Sequence, residues 1–410
     1  MKKLALLGLF LFCGAGLFAQ GANVWLKKAS FDGSKRARAL SFALGSRGYI
    51  CCGEDTAENV LNDLWEYDPG TDSWSQKASL PAPARRDAAS FVIGNKAYVG
   101  TGMDATESFL GNVLNDFWEY DPVMNSWTQK ANYPGGWAPG VYFATGFAVN
   151  GKGYICCGKQ SASYYSNELW QYDPVLNTWA LRAPFPAGVR YAQTSFVVGN
   201  YAYVGTGTDE NYLVNEFYRY DPVMNQWAQR APVPTTPRFA AFGFSIGSKG
   251  YITLGSDGGY QDDLYEYDPP TNTWATKSPF GGGERRSGAG FVIGNFAYLG
   301  TGKATSGKRR DFWMYVPHVT GIDEAQLKEK GFDVFPNPVH GQANIVIEES
   351  FLQNEKALRF ELFDLSGKKL LEEQVDASFS LSCEQLAPGT YLGRLVSATR
   401  AFAAAKILVN

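Results

Sequence analysis

One short motif recurs along the chain at a nearly constant interval, and this repeat constrains the fold more than any other feature. The motif is Tyr-Asp-Pro with a tryptophan seven residues after the tyrosine. Its copies begin at Tyr67, Tyr120, Tyr172, Tyr220 and Tyr267, with a reduced copy at Tyr315. Successive tyrosines are 47 to 53 residues apart. That period indicates a repeat array and is too long for a helical hairpin repeat.

Each copy of the motif predicts a β-hairpin. The residues that lead into the tyrosine, such as Leu-Trp-Glu-Tyr at 64–67, alternate large apolar side chains with others, which is typical of a strand. The proline ends that strand because it cannot donate a hydrogen bond to the sheet. The Asn or Asp two residues before the tryptophan tolerates the left-handed conformation of a tight turn, and the tryptophan begins the next strand.

A second pair of strands precedes each hairpin. Residues 90–100 match residues 195–205 and 290–300, and a turn that begins with glycine joins two short strands in each. Four strands in a repeat of this length are the composition of a propeller blade. Six blades are predicted because one tyrosine marks the second strand of each repeat: Tyr49, Tyr98, Tyr154, Tyr203, Tyr251 and Tyr298.

The two ends of the repeat array complement each other. No tryptophan follows Tyr315 at the motif spacing, whereas Trp25 lies near the start in a segment that resembles the one after Trp127. We therefore expect the first strand to be the outermost strand of the last blade. A ring closed in this way has no free strand edges.

The strand-ending glycine, the Leu/Phe-Trp-x-Tyr-Asp-Pro segment and the later tryptophan resemble Kelch repeats over residues 22–317. The resemblance implies an all-β fold, a six-bladed Kelch-type β-propeller. The double glycine of Kelch repeats is replaced here by Cys-Gly, Thr-Gly or Leu-Gly. Similar propellers include oxidases, sugar mutarotases and binding modules, so this resemblance alone does not assign a function.

The composition changes after Pro317. Residues 318–331 lack aromatic side chains and are expected to be a linker, and residues 332–410 predict a small Ig-like β-sandwich. Phe-Pro-Asn-Pro at 335–338, Leu-Phe-Asp-Leu-Ser-Gly-Lys at 362–368 and Leu-Ala-Pro-Gly-Thr-Tyr at 386–391 resemble the C-terminal sorting domain of type IX secretion cargo. The resemblance implies that the type IX machinery of a Bacteroidota-type cell is a partner, with release or surface attachment after export.

The first residues also predict export. A charged start and an apolar run at 4–18, too short to span a membrane, indicate a signal peptide over residues 1–19. The net charge of −3 without a basic block argues against nucleic acid and anionic membrane surfaces as partners. The vicinal pairs Cys51-Cys52 and Cys156-Cys157 are expected to be small buried hydrophobic residues, since neighbours on a strand point to opposite faces.

Histidine is absent from the predicted propeller. His318 and His340 are the only histidines in the chain, one at the linker and one in the predicted sandwich. A copper site like that of Kelch oxidases, a histidine zinc site, and a serine or cysteine nucleophile with a histidine base are therefore not expected in the propeller. We predict no catalytic residue, no metal and no cofactor.

Two sets of charged residues are expected on the face that carries the loops between the second and third strands of each blade. Five arginines precede the first strand of a blade: Arg38, Arg86, Arg190, Arg238 and Arg286. Six acids precede the third strand: Asp63, Asp116, Glu168, Glu216, Asp263 and Asp311. Either the two sets pair and order the blades, or the arginines present charge to an anionic sugar or carboxylate.

Aromatic residues are expected on the same face. Tyr142 stands where blade 3 lacks the arginine, after a Gly- and Pro-rich segment with Trp137. The loops between the second and third strands carry Phe109, Tyr164, Tyr165, Tyr212 and Tyr260. These rings either stack on a sugar or grip a peptide, or they fold back over the blade edges.

Three functions fit these features. The first is a secreted or cell-surface binding module for glycan or protein ligands, which the absence of catalytic groups favours. The second is an enzyme similar to the Kelch sialic-acid mutarotases, with an arginine for the carboxylate and an acid for proton transfer. The third is a cell-envelope protein whose propeller serves only as a structural surface.

Overall fold

A computed structural model describes residues 23–104, 112–135, 140–161, 163–317, 332–347, 352, 358–364, 368–396 and 401–409 of the 410-residue chain. The expected signal peptide and linker lie outside these residues. Within them, no helix has both the length and the apolar character needed to cross a membrane.

Residues 23–317 contain six four-stranded antiparallel sheets, each of which is one blade. We call the strands of a blade a to d, from the centre outwards. Blades 1 to 3 have the following strands: Leu40–Leu44, Arg47–Cys51, Leu64–Asp68 and Ser73–Lys77; Ala89–Ile93, Lys96–Gly100, Phe117–Asp121 and Ser126–Lys130; Thr145–Val149, Lys152–Lys159, Tyr165–Asp173 and Thr178–Arg182.

Blades 4 to 6 follow the same order, except that the last strand comes from the start of the chain. Their strands are Thr194–Val198, Tyr201–Gly205, Phe217–Asp221 and Gln226–Arg230; Phe242–Ile246, Lys249–Thr253, Leu264–Asp268 and Thr273–Lys277; Ala289–Ile293, Phe296–Gly300, Phe312–Val316 and Val24–Lys28. Each strand a contacts strand a of the next blade, and blade 6 contacts blade 1 in this way.

Neighbouring blades pack through a phenylalanine on strand a. Phe291 of blade 6 lies against strand b of blade 1, where a Cβ added to Gly48 would be 1.9 Å from its ring. Gly153 and Gly250 meet Phe91 and Phe196 in the same way. A small residue at this strand b position is therefore required for the phenylalanine to enter, and the buried ring gives each interface its apolar core.

The repeated Asn-x-Trp segment links each blade to the blade before it. Asn125 has a φ of 47°, and its Oδ1 accepts hydrogen bonds from the Tyr120 hydroxyl at 2.9 Å and the Ala78 N–H at 3.0 Å. The Trp127 indole donates to the Ala78 carbonyl oxygen at 2.8 Å. Four other indoles donate in the same way: Trp74 to Ala29, Trp179 to Ala131, Trp227 to Ala183 and Trp274 to Ala231.

The N-terminal strand completes the same link in the last blade. Val24–Lys28 pairs with Phe312–Val316, with Trp25 opposite Tyr315. Asn23 accepts hydrogen bonds from the Tyr315 hydroxyl and the Ser278 N–H, each at 2.9 Å, and Trp25 donates to the Ser278 carbonyl oxygen at 3.2 Å. The predicted closure of the propeller is confirmed.

The described C-terminal residues form a small β-sandwich. Its strands are Phe332–His340, Gln342–Ile347, Arg359–Asp364, Lys369–Gln374, Phe379–Ser382, Gly389–Val396 and Ala401–Val409. Phe332–His340 joins the two layers, since it pairs antiparallel with Gln342–Ile347 and parallel with Ala401–Val409. Ile345, Phe360 and Ile407 belong to its single buried core. The all-β fold class, a propeller followed by a sandwich, is confirmed.

Candidate functional site

A central cavity of about 480 Å³ lies between the six strands a. Small residues line its wall at one position per blade: Ser41, Ser90, Gly146, Ser195, Gly243 and Gly290. The blades approach closely here, because a Cβ at Gly146 would be 2.6 Å from the Ser90 carbonyl oxygen. None of the described residues that line the cavity is ionisable. Charged groups that could meet a ligand therefore lie at the ends of the cavity.

Six backbone hydrogen bonds form a closed circle at the end of the cavity that carries the b–c loops. Each N–H donates to the carbonyl oxygen of the preceding blade, at 2.8 to 3.2 Å. The members, which we call the mouth ring, are Arg38, Asp87, Phe143, Ala192, Ala240 and Ser287. All six have φ between 52° and 60°. Residues other than glycine adopt this conformation at a cost, so the surrounding fold must hold them in place.

Five blades contain a buried arginine that pairs with the acid before strand c. The pairs are Arg36–Asp63, Arg85–Asp116, Arg190–Glu216, Arg238–Asp263 and Arg285–Asp311. In blade 2, two guanidinium nitrogens reach the two oxygens of Asp116 at 2.8 and 2.6 Å, and Arg85 is fully buried. Burial alone would raise the pKa of Asp116, but its hydrogen bond and ion pair with Arg85 hold that pKa below its usual value. These pairs join the segment before strand a to the segment before strand c within the same blade.

The five arginines predicted as one ring occupy three different positions. Arg190 and Arg238 are members of the buried pairs. Arg86 and Arg286 come one residue after the paired arginines of their blades, and Arg38 comes two residues after Arg36. The loops before strand a vary in sequence, so the predicted arginines do not mark the same structural position in each blade. The mouth ring contributes one equivalent residue per blade and therefore does mark it. In blade 3, Val141 occupies the position of the paired arginine, and Tyr142 corresponds to Arg86 and Arg286.

A group of charged side chains lies on one side of the mouth ring. Glu54 is 3.1 Å from Arg86 and 3.9 Å from Arg38, and it also pairs with Lys308. Asp87 is 3.3 Å from Arg38 and 3.8 Å from Arg86. This charged group therefore combines three cations with two carboxylates, and its net charge is positive.

A lysine surrounded by tyrosines lies on the other side. The Lys159 ammonium is 5.6, 5.3 and 5.0 Å from the ring centroids of Tyr142, Tyr165 and Tyr191. Tyr165 and Tyr191 are stacked with centroids 5.3 Å apart. Among the described residues, no carboxylate lies within ion-pair distance of Lys159. We call these four residues the tyrosine cluster, in which a half-buried cation faces π-electron density instead of an anion.

Strands b and c of blade 3 are unusually long, and they position Lys159. Lys152–Lys159 and Tyr165–Asp173 extend beyond the corresponding strands of the other blades, and Lys159 pairs with Tyr165 at their end. Tyr142 and Lys159 also exchange two backbone hydrogen bonds of 2.9 and 2.8 Å. Lys159 therefore lies in a sheet rather than at the tip of a loop, and the sheet holds its backbone in place.

The remaining predicted aromatic residues are dispersed. Tyr260 and Phe239 flank Arg286, whose guanidinium carbon is 5.8 and 5.0 Å from their ring centroids. Tyr164 and Tyr212 are 50% and 74% exposed in b–c loops. Tyr142, in contrast, is only 1% exposed and cannot offer an open ring face. Trp137 and Phe109 lie outside the described residues.

Several residues at the mouth were missed from the sequence: Glu54, Asp87, Phe143, Lys159, Tyr191 and Phe239. Their common signal is position. Phe143 and Asp87 lie four residues before the strand a phenylalanine, and Tyr191 and Phe239 lie five before it. Glu54 and Lys159 each follow the glycine of a Cys-Cys-Gly segment. Within the described chain, no three His, Cys, Asp or Glu residues are grouped so that they could hold a metal ion.

Comparison with known proteins agrees with this architecture. Residues 84–132 match the Kelch motif, and residues 333–410 match the secretion system C-terminal sorting domain. The chain carries Kelch repeats and a C-terminal sorting domain. The solved structure of YjhT is similar to 70% of this chain and 95% of its own, with 17% identity and a TM-score of 0.60. That similarity shows the propeller fold alone. No curated protein matches the chain in sequence.

The sorting domain indicates export through type IX secretion to the cell surface or the extracellular space.

Proposed function

We propose that this exported Kelch propeller is a binding module that holds an acidic glycan, or an acidic group on a protein, at the mouth of its central cavity. The observation that carries the proposal is Lys159, a cation with three aromatic neighbours and no ion-paired carboxylate among the described residues. An incoming carboxylate would supply the missing anion. Charge-assisted hydrogen bonds to a lysine are among the stronger polar contacts.

The surroundings of Lys159 suit such a ligand. Tyr191 and Tyr165 present half-buried rings beside the ammonium, and the ring centroids of Phe143 and Tyr191 are 6.2 Å apart. Aromatic rings of this kind stack on the apolar faces of sugars or on peptide side chains. The charged group on the opposite side has a net positive charge, which adds to the attraction of an anion by Lys159.

The mouth ring makes this site rigid before any ligand arrives. Its six backbone hydrogen bonds join all six blades at the base of the site. Since a preformed site loses little conformational entropy on binding, its contacts contribute more fully to affinity. The cavity of about 480 Å³ below the ring also lies within the usual range for small-molecule sites.

A sugar-modifying activity is the second candidate. Glu54 and Asp87 are carboxylates at the mouth, each within ion-pair distance of Arg38 and Arg86. An arginine that holds a substrate carboxylate beside an acid that transfers a proton is the arrangement a mutarotase-like reaction would need. The ion pairs of both acids favour the binding module, because they already have cationic partners.

A glycan array followed by calorimetric titration tests the proposal. Lys159→Gln should weaken binding of acidic glycans by about tenfold or more while leaving neutral glycans unaffected, since a charged contact contributes roughly 1.5 to 3 kcal/mol. Lys152→Gln is the matched control, because Lys152 begins the same strand at its other end and pairs with Asp173. Equal affinities for the two variants would refute the site. Anomer exchange measured by NMR would instead support the enzyme.

A further inference from the structure

We propose that the two vicinal cysteine pairs, Cys51–Cys52 and Cys156–Cys157, are redox sites, each of which forms a disulfide between neighbouring residues in the exported protein. This inference is independent of the proposed ligand. All four cysteines are completely buried and carry free thiols in this structure.

The backbone brings each pair of sulfur atoms together. The Sγ atoms are 3.1 Å apart in the first pair and 3.4 Å apart in the second. The expectation that neighbouring thiols point to opposite faces of a strand is wrong here, because Cys52 and Cys157 have φ of 64° and 62°. A residue with a positive φ interrupts the alternation of side chains between the two faces of a strand. A further approach of about 1.1 Å in the first pair and about 1.4 Å in the second reaches the length of an S–S bond, roughly 2.05 Å.

The blade sequences show that the two cysteines occur together. At the two positions, blades 1 to 6 carry Cys-Cys, Gly-Thr, Cys-Cys, Gly-Thr, Thr-Leu and Gly-Thr. Cysteine is thus present at both positions or at neither. A disulfide requires cysteine at both positions, and blades 1 and 3 meet this requirement.

The oxidation itself is a thiol–disulfide exchange. Two S–H bonds are lost, one Sγ–Sγ bond forms, and the two electrons and two protons pass to the disulfide of an oxidising protein or small molecule, which leaves as a dithiol. Burial, and then the hydrogen bond to its neighbour, raises the pKa of Cys51 and likewise of Cys157. The thiolate is the attacking form. We therefore place the exchange in the exported chain before the blades have closed.

A vicinal disulfide would be strained and would hold a functional turn. Consecutive Cα atoms are about 3.8 Å apart, less than the usual 4.4 Å minimum for a disulfide, and strained disulfides are easier to reduce. The Cys52 carbonyl oxygen accepts a 2.8 Å hydrogen bond from buried Arg36. Each pair is followed by one glycine and then by a mouth residue, Glu54 or Lys159. Oxidation would thus restrain the backbone directly before both residues.

Peptide mass spectrometry on the full exported chain tests this proposal. The protein is denatured without reductant, alkylated and cleaved with trypsin. Peptides 48–77 and 153–159 each contain one vicinal pair and no other cysteine. We expect both to be unalkylated and lighter than the dithiol form by two hydrogen atoms, and to take two alkyl groups each after reduction. Alkylated Cys383 shows that the reagent has reacted.

Two results would overturn the proposal. One is alkylation of either pair in the unreduced protein. The other comes from Cys157→Thr, which introduces the residue that blades 2, 4 and 6 carry at this position with φ of 53° to 62°. In this variant Cys156 has lost its partner and must be alkylated without reduction. A Cys156 that stays blocked would show that Cys157 is not what protects it.

Discussion

Replacing Trp25 with alanine should destabilise the entire propeller, even though Trp25 lies in the first described strand. The Trp25 ring packs at 4.8 Å against Phe280 and at 5.0 Å against Tyr315, measured between ring centroids. Its indole also donates to the Ser278 carbonyl oxygen. The closed ring transmits the loss of this interface to every blade, because each blade packs against two neighbours and the first strand completes the last blade.

The size of the effect follows from these contacts. Removing a large aromatic side chain from a packed site costs about 3 kcal/mol, and losing its hydrogen bond costs about 1 kcal/mol more. Because Trp25 is only partly buried, we take about 3 kcal/mol for the sum. For a domain of more than 200 residues, that corresponds to a decrease in Tm of roughly 6 °C.

Differential scanning calorimetry of Trp25→Ala and Trp127→Ala checks the reasoning. Trp127 makes the same indole-to-carbonyl hydrogen bond between blades 1 and 2, so it is the matched internal site. We expect similar decreases in Tm for both variants within one cooperative transition. If Trp25→Ala kept the wild-type Tm while Trp127→Ala lost stability, the first strand would be a frayed end and the ring would not be closed by it.

Three other outcomes are expected. Deleting residues 332–410 should leave a folded propeller in the periplasm of a host with the type IX machinery, and normal amounts of truncated protein in the medium would contradict this. Arg85→Ala should lower the free energy of unfolding by about 3 to 5 kcal/mol, since it leaves Asp116 half-buried without its bidentate partner. Urea unfolding of the folded variant and of the wild type would measure this difference. Stability should fall as pH rises from 10 to 12, because burial raises the pKa of Tyr120, Tyr267 and Tyr298 from 10.0 to about 12, so unfolding releases protons there.

The blades and their closure could be predicted because local rules repeat. Asn125 tolerates a positive φ, the proline of each motif ends strand c, and Trp127 bonds to the preceding blade. Each feature depends on a few residues within one repeat or on one neighbouring repeat. Trp25 was recognisable for the same reason, since it keeps the local sequence of an internal strand d.

The mouth could not be predicted as well, because it joins residues from distant repeats. Lys159, Tyr142 and Tyr191 come from two blades and meet only when the strands are in register. The arginines do not occupy equivalent positions in the blades, since Arg85 is buried in an ion pair with Asp116 whereas its neighbour Arg86 belongs to the charged group at the mouth. Cys52 shows a third limit, because a single left-handed residue reverses the side-chain direction expected from strand alternation.

A crystal structure of the propeller with an acidic glycan from the array would test the central proposal most directly. We predict that the ligand lies over the mouth ring, with its carboxylate within ion-pair distance of the Lys159 ammonium and its sugar ring against Tyr191 or Phe143. The opposite face carries the c–d turns, whose Val123 and Met124 side chains are exposed. A ligand bound at those turns, with Lys159 untouched, would contradict the account.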